Sequence, residues 1–400
     1  MAVDFNAVRK QVKELGENAM TRSQELLAKR TLAFELLEEH AQQADTLLQR
    51  VEKIVRLIDP NLRCAIPAAA LASPPEPLDM RSPLPGLPAH ATVLAADGSQ
   101  IAPDRHAQVN FCLINVGSIQ MGLGRPEPPE VTVRSELLYD EKLYTRTGVL
   151  TDGQVALMRD LNERARLLEL AKQCAPPVIT FTDGPMELWG AKDALETGEF
   201  EQSLDKYQEV LRGLSELGAA TAGYVDKPSA GLVIRLLEIA MLAEEDLREI
   251  KKLHPLRGIS DRTIFQSLLG PGERSAVFAI QSRSAHEYHA ELALHFFYLN
   301  VGRTGKPWLA RVEIPAWVAE EPRQLDDLHA VLFQQCQIMG NRPFPYLIHR
   351  AHEAAVVSLD EKEQIGQMIV LELQKRGVPV DETSAKQSAK DQPGRTRYER

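Results

Sequence analysis

Two short segments present an aspartate in the same setting. Residues 91–99 read ATVLAADGS and residues 178–185 read VITFTDGP. In each, an apolar run ends in an aspartate followed at once by glycine, Asp97–Gly98 and Asp183–Gly184. Short apolar runs of this kind suit buried strands. A glycine after the aspartate permits a sharp exit that leaves the carboxylate projecting from the strand tip. Ligands of open α/β sheets gather beyond the carboxyl ends of the strands. If the two runs are parallel neighbours, about 4.8 Å apart, Asp97 and Asp183 face each other. Adjacent carboxylates repel, and a divalent cation is the usual remedy. Two such ions about 3.5–4 Å apart are the apparatus of in-line attack at phosphate. The plainer alternative is that each Asp-Gly is a turn dipeptide.

Other donors are spread along the chain. A helix expected over 152–173 offers Asp160, Glu163 and Glu169; Glu163 lies four residues beyond Arg159, on the same side. His286, His289 and His295 cluster in AHEYHAELALH, which lacks the H-E-x-x-H pattern of a zinc protease and reads as a surface hairpin. The segment RPFPYLIHRAH at 342–352 differs: Pro343 and Pro345 pin the backbone, Phe344 and Tyr346 flank them, and His349 and His352 follow at a helix start. Phosphatase chemistry of the haloacid-dehalogenase type is excluded. Its nucleophile is the first aspartate of Asp-x-Asp-Gly, and that position is Ala95.

The elements that must position these residues follow from pattern. Residues 1–59 hold no proline, and Ala44, Leu47, Leu48, Val51, Ile54, Val55 and Ile58 mark an amphipathic helix. The helix packs on its own domain or, its stripe being narrow and near-heptad, pairs with a partner surface. Residues 60–90 carry eight of the 25 prolines and read as a linker. Strands are then expected at 91–96, 108–121 and 131–138, joined by turns. The 152–173 helix, a strand at 177–182, a helix at 201–217, a strand at 220–225 and a helix at 230–241 follow. A meander leading into βαβ units gives a mixed α/β sheet with flanking helices, the order of a ribonuclease H-like fold. Further strands at 275–280, 293–301 and 309–314 precede helices near 326–338 and 361–376. The polar tail at 379–400 reads as disordered.

With 46 Lys+Arg against 56 Asp+Glu, the net charge of −10 excludes a histone-like nucleic-acid binder. Four cysteines with no C-x-x-C pair exclude a zinc ribbon or disulfide framework. No apolar leader and no run of 18 apolar residues occurs, so a soluble cytoplasmic protein is expected, with no membrane.

Taken together, ADGSQ at 96–100, MRDLNE at 158–163, TDGPM at 182–186, GYVDKPS at 223–229, LLGPGERSAVF at 268–278, ARVEIPAWV at 310–318 and FPYLIHRAHEAAVV at 344–357 resemble the NurA-type nucleases, which process DNA ends. The resemblance implies a nuclease domain at 91–378 with a ribonuclease H-like core. It also implies a site of Asp97, Glu163, Asp183 and His352, with Glu169 the fallback for Glu163. Three carboxylates with an imidazole suit Mn²⁺, with Mg²⁺ the alternative, as two ions. Family members often carry tyrosine where this chain has Phe344; the role of that hydroxyl is then lost here or taken by Tyr346. Lys227, Arg274 and Arg311 are candidate phosphate contacts. The resemblance further implies DNA as substrate, a HerA-type hexameric translocase as partner, and a homodimer. The competing class is a catalytically inactive DNA-repair scaffold with the same fold.

Overall fold

The computed structural model describes residues 3–68, 75–104, 107–145, 148–189 and 198–379; of the tail expected at 379–400, residues 380–400 lie outside them. The strands are β1 Cys64–Pro67, β2 Ala91–Ile101, β3 Cys112–Leu123, β4 Glu130–Leu138, β5 Tyr144–Thr145, β6 Gly148–Val149, β7 Val178–Asp183, β8 Ala220–Asp226, β9 Phe278–Gln281, β10 Leu294–Asn300 and β11 Leu309–Pro315. The helices are α1 Phe5–Glu17, α2 Ala19–Glu39, α3 Ala44–Leu57, α4 Asp152–Ala171, α5 Glu199–Glu216, α6 Leu232–Met241, α7 Asp261–Leu268, α8 Ala316–Ala319, α9 Pro322–Ile338, α10 Tyr346–Ala355 and α11 Leu359–Lys375. No helix among the described residues is long and apolar enough to cross a membrane.

The chain divides into two units, one of Met1–Leu87, Gly184–Glu187 and Ala222–Phe344, the other of Pro88–Asp183, Leu188–Thr221 and Pro345–Arg400. In the second, β2, β3 and β4 form an antiparallel meander, and β7 pairs parallel with β2 on its other side. The start of β8 lies beyond β7, where the Thr180 hydroxyl donates to Thr221 Oγ1 at 2.6 Å. The meander and the parallel crossover through α4 are therefore the expected ones. Thr151 caps α4 through a capping box with Gln154, which satisfies two amides at its first turn.

In the first unit, β1, β9, β10, β11 and the end of β8 lie side by side, each pair antiparallel. Two expectations change here. The stretch at 60–90 is not wholly linker, because Cys64–Pro67 pairs with β9 and Leu78 is fully buried. The stripe on α3 is not left for a partner: Leu47, Val51 and Ile54 are buried, and α3 packs on β1 and α6. A one-sided helix buries its stripe on the nearest apolar surface, and here the chain supplies one.

Candidate active site

The site is assembled within the second unit. In the parallel pairing of β2 with β7, Ala96 lies opposite Thr182, so Asp97 and Asp183 occupy the next step of the same register. The two Asp-Gly pairs are nevertheless different devices. Gly184 has φ of 84°, a conformation glycine tolerates, and turns the chain at the end of β7. Gly98 turns nothing, because β2 continues paired with β3 as far as Ile101. Its role is clearance. A Cβ at Gly98 would lie 2.5 Å from Arg159 Cγ and 2.8 Å from Glu163 Oε1, so the missing side chain lets two residues of α4 lie against the strand beside Asp97.

His352 reaches the site through a second glycine. Gly117 of β3 lies opposite Asp97, and a Cβ there would come within 2.4 Å of the Ala351 carbonyl oxygen and 2.8 Å of the Ala355 nitrogen. Helix α10 therefore rests directly on the strand backbone. Its end is tied down where Asn115 Nδ2 donates to the Ala355 carbonyl at 2.8 Å and the Ser99 hydroxyl donates to the same oxygen. Ser135 donates to Asn115 Oδ1 at 2.6 Å and fixes the orientation of the amide. Held this way, His352 Nδ1 lies 2.6 Å from Asp97 Oδ2; the imidazole is 60% exposed and the carboxylate 14%.

Glu163 is buried, and burial together with the charges of Asp160 and Asp97 pushes its carboxyl well above the usual range. Burial also raises Asp160, against the pull of Arg159. Arg159 Nη2 lies 2.7 Å from Asp160 Oδ1, and its Nε 3.4 Å from Glu163 Oε1. Glu169 is differently placed, bridged by Arg134 at 2.6 Å and Arg166 at 3.1 Å.

Among the described residues, no three His, Cys, Asp or Glu side chains converge closely enough to hold a metal ion as they stand. Asp97 is turned to His352 and Glu163 to Arg159. The donor chemistry nonetheless suits a hard divalent cation: carboxylates, one of them buried among like charges, and an imidazole already on the central aspartate.

The remaining candidates lie apart from this cluster. Arg274 is buried, with both terminal nitrogens 3.0 Å from the Glu76 carboxylate, so it is not a free phosphate contact. Arg311 is buried and paired with Glu313 at 2.6 Å. Lys227 places its ammonium 4.1 Å from the centre of the Trp308 ring. Phe344 packs its edge on Tyr224, with ring centres 5.5 Å apart. Tyr346 is half-buried at the first residue of α10. His295, expected on a surface hairpin, is buried on β10.

Residues outside the expected ligand set hold the chain beyond Asp183. Glu313 Oε2 accepts from the Met186 amide at 2.8 Å, and the Gly184 amide donates to the Tyr224 carbonyl at 2.8 Å. Gly223 must lack a side chain, since a Cβ there would lie 2.5 Å from the Gly184 oxygen. Glu313, with Arg311 the other charge in a strand otherwise apolar, was the available signal.

Strand order and acid placement define a ribonuclease H-like α/β domain, with carboxylates on the two central strands and the helix between them. Residues 91–357 match the NurA domain, and the chain belongs to that family. It is similar in structure to the NurA nuclease from Sulfolobus solfataricus, at 12% identity and TM-score 0.47, over 86% of this chain and 95% of that one. It is similar also to the catalytic domain of human endonuclease V, at 16% identity and TM-score 0.30, over 72% and 85%. Drosophila Piwi matches at 12% identity and TM-score 0.28, over 66% of this chain and 29% of that one. No curated protein matches in sequence.

Proposed function

We propose that the protein is a divalent-metal-dependent deoxyribonuclease that hydrolyses phosphodiester bonds in DNA end resection and repair. The observation that carries this reading is the meeting at β2 of Asp97 in register with Asp183, Glu163 against Gly98, and His352 on Asp97. These four residues would hold Mn²⁺, or Mg²⁺ in its place, as two ions. When bound, the metal would supply Lewis-acid activation of the attacking water and stabilisation of the leaving oxygen. Asp97 orients the His352 ring through the 2.6 Å contact at Nδ1, which leaves Nε2 as the nitrogen that would ligate a metal or carry a proton. The chain carries a net charge of −10 and so offers little counterion-release affinity for DNA. A HerA-type hexameric translocase feeding DNA to a homodimer of this protein would make up the deficit, in the cytoplasm.

The second reading is a DNA-repair scaffold without catalysis, favoured by the absence of three converging donors among the described residues. Labelled linear DNA incubated with Mn²⁺, with and without the translocase, separates the two. Cleavage lost in Asp97→Ala and in Asp183→Ala supports the nuclease; cleavage by either variant within a few-fold of the parent refutes the site. A melting temperature indifferent to millimolar Mn²⁺ and to EDTA favours the scaffold, since a ligand that binds the native state raises it by mass action.

A further inference from the structure

We propose that Arg159 is the resident counter-cation of the acidic site, which yields Glu163 to an entering divalent cation and then turns to the phosphate of the bound strand. The inference rests on the nuclease reading and gives Arg159 a place in it.

Three observations converge on this residue. Its guanidinium bonds Asp160 at 2.7 and 3.1 Å and stands 3.4 Å from the buried Glu163 carboxylate. Its aliphatic stem lies in the notch left by Gly98, where a Cβ would come within 2.5 Å of Cγ and 3.0 Å of Cδ. The side chain remains about one-third exposed, so it has an outlet to solvent.

A buried carboxylate among like charges demands a cation. Arg159 supplies one, its Nε 3.4 Å from Glu163 Oε1. A divalent ion held by Glu163 and Asp97 would carry twice the charge in a smaller volume and would repel the guanidinium at close range. The long stem can then swing outward while its base stays on α4. A guanidinium released beside a phosphodiester finds the oxyanion geometry to which its fork is matched. Arg164 cannot take this part: it is almost fully buried, with Nη1 3.0 Å from Thr221 Oγ1.

The test measures Mn²⁺ binding directly, from the loss of the free aquo-ion signal in electron paramagnetic resonance, on the full chain with Arg159→Gln and Arg159→Lys. Competition predicts that Arg159→Gln binds Mn²⁺ about tenfold more tightly, while Arg159→Lys, which keeps the charge, stays within about threefold of the parent. At saturating Mn²⁺, the glutamine variant should raise the KM for DNA about tenfold and lower kcat less, because a phosphate grip is lost while the ligands remain. Mn²⁺ affinity unchanged or weakened in Arg159→Gln, or an unchanged KM, overturns the proposal alone. A parent protein that binds no Mn²⁺ at millimolar concentration overturns the nuclease reading and this inference with it.

Discussion

Gly117→Ala is expected to cost far more than one methyl group in a strand. The added Cβ would meet the Ala351 carbonyl oxygen at 2.4 Å and the Ala355 nitrogen at 2.8 Å, both backbone atoms of α10, so no rotamer change relieves it. Ordinary contact needs about 3.4 Å, so the helix must retreat by about 1 Å. Overpacking of this kind costs about 1–3 kcal/mol. The retreat carries His352 with it, and the present 2.6 Å contact with Asp97 would open to about 3.6 Å, outside hydrogen-bond range. A displacement of that size at reacting groups lowers rates by about 100-fold. Urea denaturation measures the first effect and Mn²⁺-dependent cleavage of linear DNA the second, both on the full chain. A variant with unchanged midpoint and full activity would show that α10 does not depend on this glycine and that the geometry of His352 is not set by it.

The other expectations concern separate features. Glu163→Gln should abolish cleavage, whereas Glu169→Gln should retain it and lose under about 1 kcal/mol, because Glu169 makes only partly exposed ion pairs with Arg134 and Arg166; two active variants would remove both from the site. His329 is buried, its Nε2 donates to the Gly272 carbonyl at 2.7 Å, and burial pushes its pKa down to about 4. The unfolded chain takes up the proton from about pH 6.5 and the folded one only near 4, so stability is full above that window and falls by up to about 3 kcal/mol across it. His329→Gln should flatten this slope in urea titrations at pH 7, 5.5 and 4, and an equally steep slope would refute the assignment. A chain starting at Ala89 should fail to fold, since it removes β1 and the buried Leu47, Val51 and Ile54, and leaves Arg274 without Glu76; a soluble, cooperatively melting product would contradict this packing.

The second unit was legible because its elements are locally consistent. The apolar run at 91–96, the capped helix beginning at Asp152 and the β-branched run at 178–182 each announce one structure, and their order leaves few topologies. The face of α4 was read less well. Hydrophobic spacing picks out Val155, Met158, Leu161, Ala165 and Leu168, of which Val155 is buried and the other four only half-buried. The buried face instead includes Glu163 and Arg164 with Val155, Leu167 and Leu170. A charged pair on a core-facing side is invisible to apolar periodicity and becomes visible only when tertiary partners are in place. β1 was missed for a related reason. Four residues between prolines carry too little pattern, and the strand exists because β9 offers it an edge.

The glycines show the same limit at the site itself. Gly98 and Gly184 follow aspartates at the ends of similar runs, and turn propensity assigns them one role. Only Gly184 has a positive φ; Gly98 sits within a continuous ladder and admits α4, as Gly117 across from Asp97 admits α10. Space for a neighbouring helix leaves no trace in local sequence, because the constraint comes from residues about 60 and 235 positions away in the chain. Identifying Asp97 and Asp183 as a pair thus needed only strand pattern and parallel order. What brings Glu163 and His352 beside Asp97 is the absence of two side chains, which depends on the packed helices and could be seen only with them.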